Sequence, residues 1–207
     1  MRTEIDHLVW GCPDLGLLVD RVTRLMGVAP RFGGRHEGRG TQNYLLALGH
    51  GRYLELLGPD PEQPEPAGPR PLGIDQTTEP GLIGWAIRTT AMGDLLRAAR
   101  AEGYDPGEAV RMSRRTPAGT VLEWLLTPPG VGGVLPFVID WLGSPHPAAD
   151  LPSVELMSFT LHHPQPDDVR AALTAMNLDD EEVTVAFAAD PGISATLATP
   201  QGDVTIQ

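Results

Sequence analysis

The first apolar run of the chain, Ile5-Asp6-His7-Leu8-Val9-Trp10, carries hydrophobic residues at odd and even positions alike, which is the pattern of a strand buried on both faces. On regular extended backbone Ile5, His7 and Val9 share one face and Asp6, Leu8 and Trp10 the other, so His7 is expected to point into an interior. Pro13-Asp14 then reads as a helix start with Asp14 as N-cap. Leu15, Leu18, Val19, Val22, Leu25 and Met26 follow at three- and four-residue steps until Gly27 stops them. Arg31 to Gly40 (RFGGRHEGRG) is glycine-rich and basic, a poorly regular strand or an open loop. A strand through 43–48, a turn at Gly49-His50-Gly51 and a strand through 52–57 complete the order βαβββ.

The pattern then recurs. A strand is expected over 82–87, a helix over 91–101 with Gly103 as its stop, and strands over 108–114, 120–126 and 134–141. A third round opens with a strand over 154–161, continues with a helix over about 167–176, and closes with short strands over 183–187, 193–198 and 204–206. The expected fold class is α+β: repeated βαβββ units forming curved mixed sheets around a cavity, with a third, shorter unit at the C-terminus. The units divide as 1–59, 81–147 and 148–207, with 60–80 between the first two as a proline-rich linker, of which the acidic stretch from Asp60 to Pro71 reads as extended rather than packed. Laying the opening strands over one another puts Trp85 and Ser158 at the place of His7.

Composition narrows the chemistry. The 207 residues carry a formal net charge of -12, which argues against a nucleic-acid partner and against an anionic membrane surface. All 15 basic residues are arginine, so lysine Schiff-base chemistry, pyridoxal phosphate attachment and a phosphate-loop lysine are excluded. No G-x-S-x-G elbow occurs. The single cysteine, Cys12, makes neither an internal disulfide nor a thiolate zinc site, and its Gly-Cys-Pro setting suits packing at a strand end. With no apolar leader and no membrane-length run, a cytoplasmic protein is expected.

Candidate chemistry begins with His7 and Glu55, the latter flanked on its strand face by Tyr53 and Leu57. An acid there is costly unless paired. Imidazole and carboxylate on one concave sheet face are two ligands of a divalent ion, with water filling the remaining positions. The matching strand of the second unit carries Asp140. Together the βαβββ units, the IDHLVW opening, the GGRHEGRGTQNYLLALGHGRYLELLGP segment and the later LPFVIDWLGSPHP segment resemble the glyoxalase-like domain of the vicinal oxygen chelate superfamily. That superfamily includes lyases, isomerases, epimerases, ring-cleaving dioxygenases and bleomycin-type resistance proteins. The resemblance implies metal ligands on the first and last strands of paired units: His7 and Glu55 match, Asp140 is a shorter acid, and Trp85 stands where a second histidine or glutamine is expected. His146 is the substitute at hand. Polarising a substrate's adjacent oxygens and moving a proton with Glu55 or Asp140 would follow.

Arg35, His36, Arg39 and Asn43 lie in or beside the glycine-rich segment, where they either hold a carboxylate or phosphate of the substrate or form a solvated hairpin edge. Trp124 reads as an aromatic wall or as core. His162 and His163, being adjacent on a strand, cannot both face one ion, and the acidic run Asp179 to Glu182 reads as a solvated turn. The leading expectation is a divalent-metal-assisted lyase or isomerase acting on a small molecule, with no organic cofactor. The alternative is a non-catalytic binding protein that sequesters an aromatic ligand or antibiotic between Trp85, Trp124 and Trp141. The resemblance implies a homodimer, while three units in one chain would also satisfy the sheets internally.

Overall fold

The computed structural model describes residues 2–116, 119–129, 133–178, 181 and 183–207, and the backbone alone of Arg115. Two βαβββ units follow one another. The first comprises β1 (Glu4–Gly11), α1 (Leu15–Met26), β2 (Arg31–His36), β3 (Thr41–Ala47) and β4 (Tyr53–Pro59). The second comprises β5 (Gly81–Arg88), α2 (Met92–Ala101), β6 (Val110–Arg115), β7 (Val121–Leu126) and β8 (Phe137–Asp140). Their strands close into one barrel in the order β1-β4-β3-β2-β6-β7-β8-β5. At one seam β1 runs antiparallel to β5 along its length; at the other, β2 meets β6 with Arg35 opposite Arg115. The third unit, β9 (Glu155–His163), α3 (Pro166–Ala175), β10 (Thr184–Phe187), β11 (Gly192–Thr199) and β12 (Gly202–Ile206), forms its own sheet in the order β10-β9-β11-β12.

Local chemistry explains most of these elements. The Asp14 carboxylate accepts from the Leu17 N–H at 3.0 Å, capping α1, and Gly27 ends it at φ 68°, a conformation that glycine takes without a Cβ clash. Leu15, Leu18, Val22 and Met26 are buried, while Leu25, expected on the same face, is exposed at its edge. The glycine-rich stretch is a strand over Arg31–His36, irregular where its register on β3 shifts at Gly33, and a turn over 37–40; Gly33 lets β2 lie close against β3, since a Cβ there would sit 2.4 Å from the Asn43 side-chain oxygen. Pro136 has no N–H to give a ladder, and β8 starts only after it, shorter than the 134–141 expected.

Apolar side chains bury on both sides of the barrel wall. Outside it, Ile5, Leu8, Trp10 and Trp85 pack with the α1 and α2 faces and with Phe159, Leu161 and Leu197 of the third unit. Inside it, Val9, Leu57, Ile74, Ala86, Trp124, Phe137 and Ile139 form a smaller cluster. Beyond the stretch from Asp60 to Pro71 that was expected to be extended, Ile74 packs into the inner cluster. A 3-10 segment, Pro71–Gln76, holds Ile74 at 2 % exposure, and Arg70 ties the segment down by donating to the Gly40 carbonyl at 2.9 Å and the Asp75 carboxylate at 2.7 Å. Prolines discourage regular helix or sheet, but they do not prevent the apolar residues between them from being buried. Of the acidic run, Asp179, Asp180 and Glu182 lie outside the described residues. Among the described residues no helix is long and apolar enough to cross a membrane.

Candidate active site

Where β1 faces the barrel interior, its alternation is broken. The register between β1 and β5 shifts between Ile5 and His7, leaving Asp6 as a bulge. Ile5 therefore packs outward with Leu8 and Trp10, not with His7, and the Asp6 carboxylate reaches the ring it was expected to oppose. Asp6 Oδ1 lies 2.6 Å from His7 Nδ1, and Asp6 Oδ2 accepts from Trp141 Nε1 at 3.1 Å and lies 2.9 Å from His146 Nε2. Burial raises the carboxyl pKa, but the bonds from His146 and His7 outweigh it and hold Asp6 well below the ordinary carboxylate range. With Nδ1–H donated to Asp6, the His7 Nε2 lone pair is turned toward Glu55, whose Oε2 is 3.7 Å away.

Glu55 lies on β4, with Oε1 accepting from Asn43 Nδ2 at 2.6 Å. His36 Nε2 sits 3.8 Å from the same oxygen, and its Nδ1 is 2.9 Å from Thr41 Oγ1. These groups border a cavity of about 80 Å³, together with Tyr53, Arg114 and an apolar lining of Leu72, Met112, Trp124, Phe137, Ile139 and Trp141. The volume suffices for several water molecules or the reacting end of a small ligand. The Tyr53 ring stacks on His7 with centroids 4.6 Å apart. Burial, then Asp6 and Glu55, push its hydroxyl well above its usual pKa, so it stays a hydrogen-bond donor. Arg114, 5 % exposed, donates to the Gly33 carbonyl. No carboxylate lies within 4.0 Å of it among the described residues.

Burial also lowers the pKa of His36 despite Glu55 nearby, so its ring is neutral in the folded protein. The folded value lies below the unfolded value of about 6.5, so the unfolded chain binds the proton first. Stability is then lost as pH falls below about 6.5. Urea midpoints taken from pH 7.5 down to 5 will fall less steeply in His36→Gln than in the wild type.

The structure brings His7, Glu55, His36, Arg39, Asn43, Trp124 and Trp141 to the cavity and places Arg35, Trp85, Asp140, His146 and His162 elsewhere. On β8 Phe137 and Ile139 line the cavity, so alternation turns Asp140 to the other face, where its carboxylate accepts from the Leu142 N–H at 3.0 Å. Trp85 pairs in register with Leu8, not His7. It points outward, donating to the Val134 carbonyl at 2.8 Å with its ring edge to face with Phe159. Arg35 is held outside by Glu62 and by Asp60 at 3.6 Å. His146 stands behind Asp6, and His162 bonds Ser194 at 2.9 Å on the third sheet.

Asp6, Tyr53 and Arg114 were missing from the sequence-based set. Tyr53 and Arg114 were legible from alternation with Glu55 and Met112, whereas Asp6 depended on a bulge that sequence spacing does not reveal. The donor set does not make a metal centre. Among the described residues no three His, Cys, Asp or Glu side chains converge on a point that an ion could occupy. The inward positions of the second unit, Gly84 and Ala86 on β5 and Phe137 and Ile139 on β8, offer no side-chain donor.

Comparison with known proteins agrees with this architecture. A family model described as a glyoxalase-like domain matches residues 5–176. A hypothetical protein from Staphylococcus aureus superposes with a TM-score of 0.63 at 15% identity, covering 98% of this chain and 84% of that one. Methylmalonyl-CoA epimerase from Streptomyces coelicolor, in a complex with 2-nitronate-propionyl-CoA, aligns with a TM-score of 0.44 at 18% identity, over 70% of this chain and 98% of that one. The Mycobacterium tuberculosis epimerase gives 0.42 at 18% identity over 66% and 86%. None of the curated proteins matches the chain in sequence.

Proposed function

The chain belongs to the glyoxalase-like domain family, and from that premise we propose that its barrel is the active site of a lyase- or isomerase-type enzyme moving a proton on a small carbonyl compound. One observation carries the reading: two buried bases, His7 Nε2 and Glu55 Oε2, face each other across 3.7 Å inside a cavity. The two groups stand on the neighbouring strands β1 and β4, within reach of the same C–H or O–H of a ligand. In this reading His7, oriented by Asp6, and Glu55, oriented by Asn43, exchange the proton between neighbouring positions of the substrate. The Tyr53 hydroxyl donates to the oxygen on which negative charge develops. Trp124, Phe137 and Ile139 exclude water and pack against the apolar part.

A divalent ion, which the family resemblance implies, would find two donors in His7 and Glu55 and apolar side chains opposite, so no step is routed through it. The test is exchange of substrate hydrogen for solvent deuterium, followed by proton NMR over a panel of small carbonyl compounds with an acidic C–H. Exchange is expected in chelator-treated protein at the untreated rate, falling about 10²–10⁴-fold in His7→Gln and in Glu55→Gln. No exchange with any compound, while ligands still quench tryptophan fluorescence, would replace the enzyme by a binding protein. Exchange abolished by chelator and restored by one divalent ion would return the metal to the mechanism.

A further inference from the structure

Arg114 is a buried cation that feels the charge of Glu55 but has no carboxylate within 4.0 Å among the described residues. Its guanidinium sits in the cavity lining at 5 % exposure, and its hydrogen bond among the described residues goes to a neutral group, the Gly33 carbonyl. Glu55 is the acid in the same cavity, but Oε1 is taken by Asn43 at 2.6 Å and Oε2 faces His7 at 3.7 Å. Burying a guanidinium against a carbonyl and an apolar wall is costly, and an anionic ligand is the usual means of offsetting that cost. A second guanidinium, Arg39, borders the same cavity from its exposed side, where it touches Met112 Sδ at 3.4 Å.

We infer that Arg114 is the carboxylate-recognising residue of this cavity, and that the substrate is a small monocarboxylate with an apolar or aromatic remainder. A planar guanidinium meets a carboxylate through two parallel hydrogen bonds, which fixes orientation as well as charge. A singly charged ligand matches the one charge of Arg114, whereas a phosphate dianion would bring a further negative charge beside Glu55. The remainder lies on Trp124, Phe137 and Ile139, and the carboxylate anchored at Arg114 carries the reacting carbon toward His7 and Glu55. The inference rests on the cavity being the substrate site, as proposed above, but not on proton transfer taking place there.

The test compares two ligands of matched shape, 3-phenylpropionate and 3-phenylpropionamide, by tryptophan fluorescence titration of the whole chain. The acid is expected to bind the wild type about tenfold or more tightly than the amide. That preference should vanish in Arg114→Gln, survive in part in Arg114→Lys, and persist in His7→Gln, which lacks the proposed base. A lost preference in Arg114→Gln with intact preference in His7→Gln supports the assignment even if no exchange activity is found. Inorganic phosphate should not compete. Equal binding of acid and amide by the wild type, an undiminished preference in a folded Arg114→Gln, or no binding of any carboxylate from acetate to 3-phenylpropionate would each overturn it. Should the glutamine variant not fold, an acid preference that survives in Arg39→Gln and falls in Arg114→Lys supports the assignment, and one lost in Arg39→Gln overturns it.

Discussion

Alanine in place of Asp6 will lower the free energy of unfolding by about 3–5 kcal/mol, read from urea denaturation at pH 7. The carboxylate is fully buried and is shared by the rings of His7, His146 and Trp141, which come from β1 and from the segment after β8. Removing it orphans three polar groups together, and a buried donor without a partner costs more than its bond contributed. Asp6→Asn keeps the volume but brings an N–H toward groups that are themselves donors, so its loss should be smaller and still clear. The pH dependence has a definite sign. The folded pKa of Asp6 is depressed, so its stabilisation is present above the unfolded value of about 3.9 and is lost as pH falls through and below it. The gap between wild type and Asp6→Ala should therefore narrow in acid. A loss under about 1 kcal/mol at pH 7 would mean that the three rings are held by packing, not by the carboxylate.

Trp85→Ala should be comparably damaging, by about 3–5 kcal/mol, for a different reason. Trp85 is fully buried at the barrel's outer wall, against Phe159 of the third sheet at 4.9 Å between centroids. Truncation removes the largest of the fully buried side chains, opens a cavity between barrel and sheet, and leaves the Val134 carbonyl without its donor. Trp85→Phe retains most of the packing and loses the N–H, so a cost of about 1–2 kcal/mol is expected. Ligand titration separates this role from a binding one: because Trp85 faces away from the cavity, the phenylalanine variant should bind with wild-type affinity. A tenfold weaker ligand in a fully folded Trp85→Phe would restore Trp85 to the binding wall.

The periodic elements were the most legible part of the chain. Apolar spacing, the Asp14 cap and the Gly27 stop located α1 to the residue, since each acts within one turn of backbone. The pairing of His7 with Glu55 was also legible, because a parallel β1–β4 ladder sets Tyr53 opposite His7 and Glu55 opposite Val9. Side-chain direction was harder to read. Strict alternation misplaced Asp6, because one extra residue at the bulge reverses every side chain before it relative to those after. Trp85 and Asp140 failed by a single position: their strands were identified, but a register choice that favoured chemically interesting residues put Ala86 and Ile139 on the wrong face. The burial of Ile74 after the proline-rich stretch could not be read from composition, which describes the backbone's preferences and not where one apolar side chain is buried.

The two seams of the barrel are unequal. β1 and β5 are zipped along their length, whereas among the described residues the backbones of β2 and β6 are joined at Arg35 and Arg115. The Gly33 carbonyl stands on one side of the second seam and Arg114 on the other, so their hydrogen bond is a clasp across it. A ligand carboxylate on the guanidinium would share that clasp, and one side chain would then serve both the join and its contents.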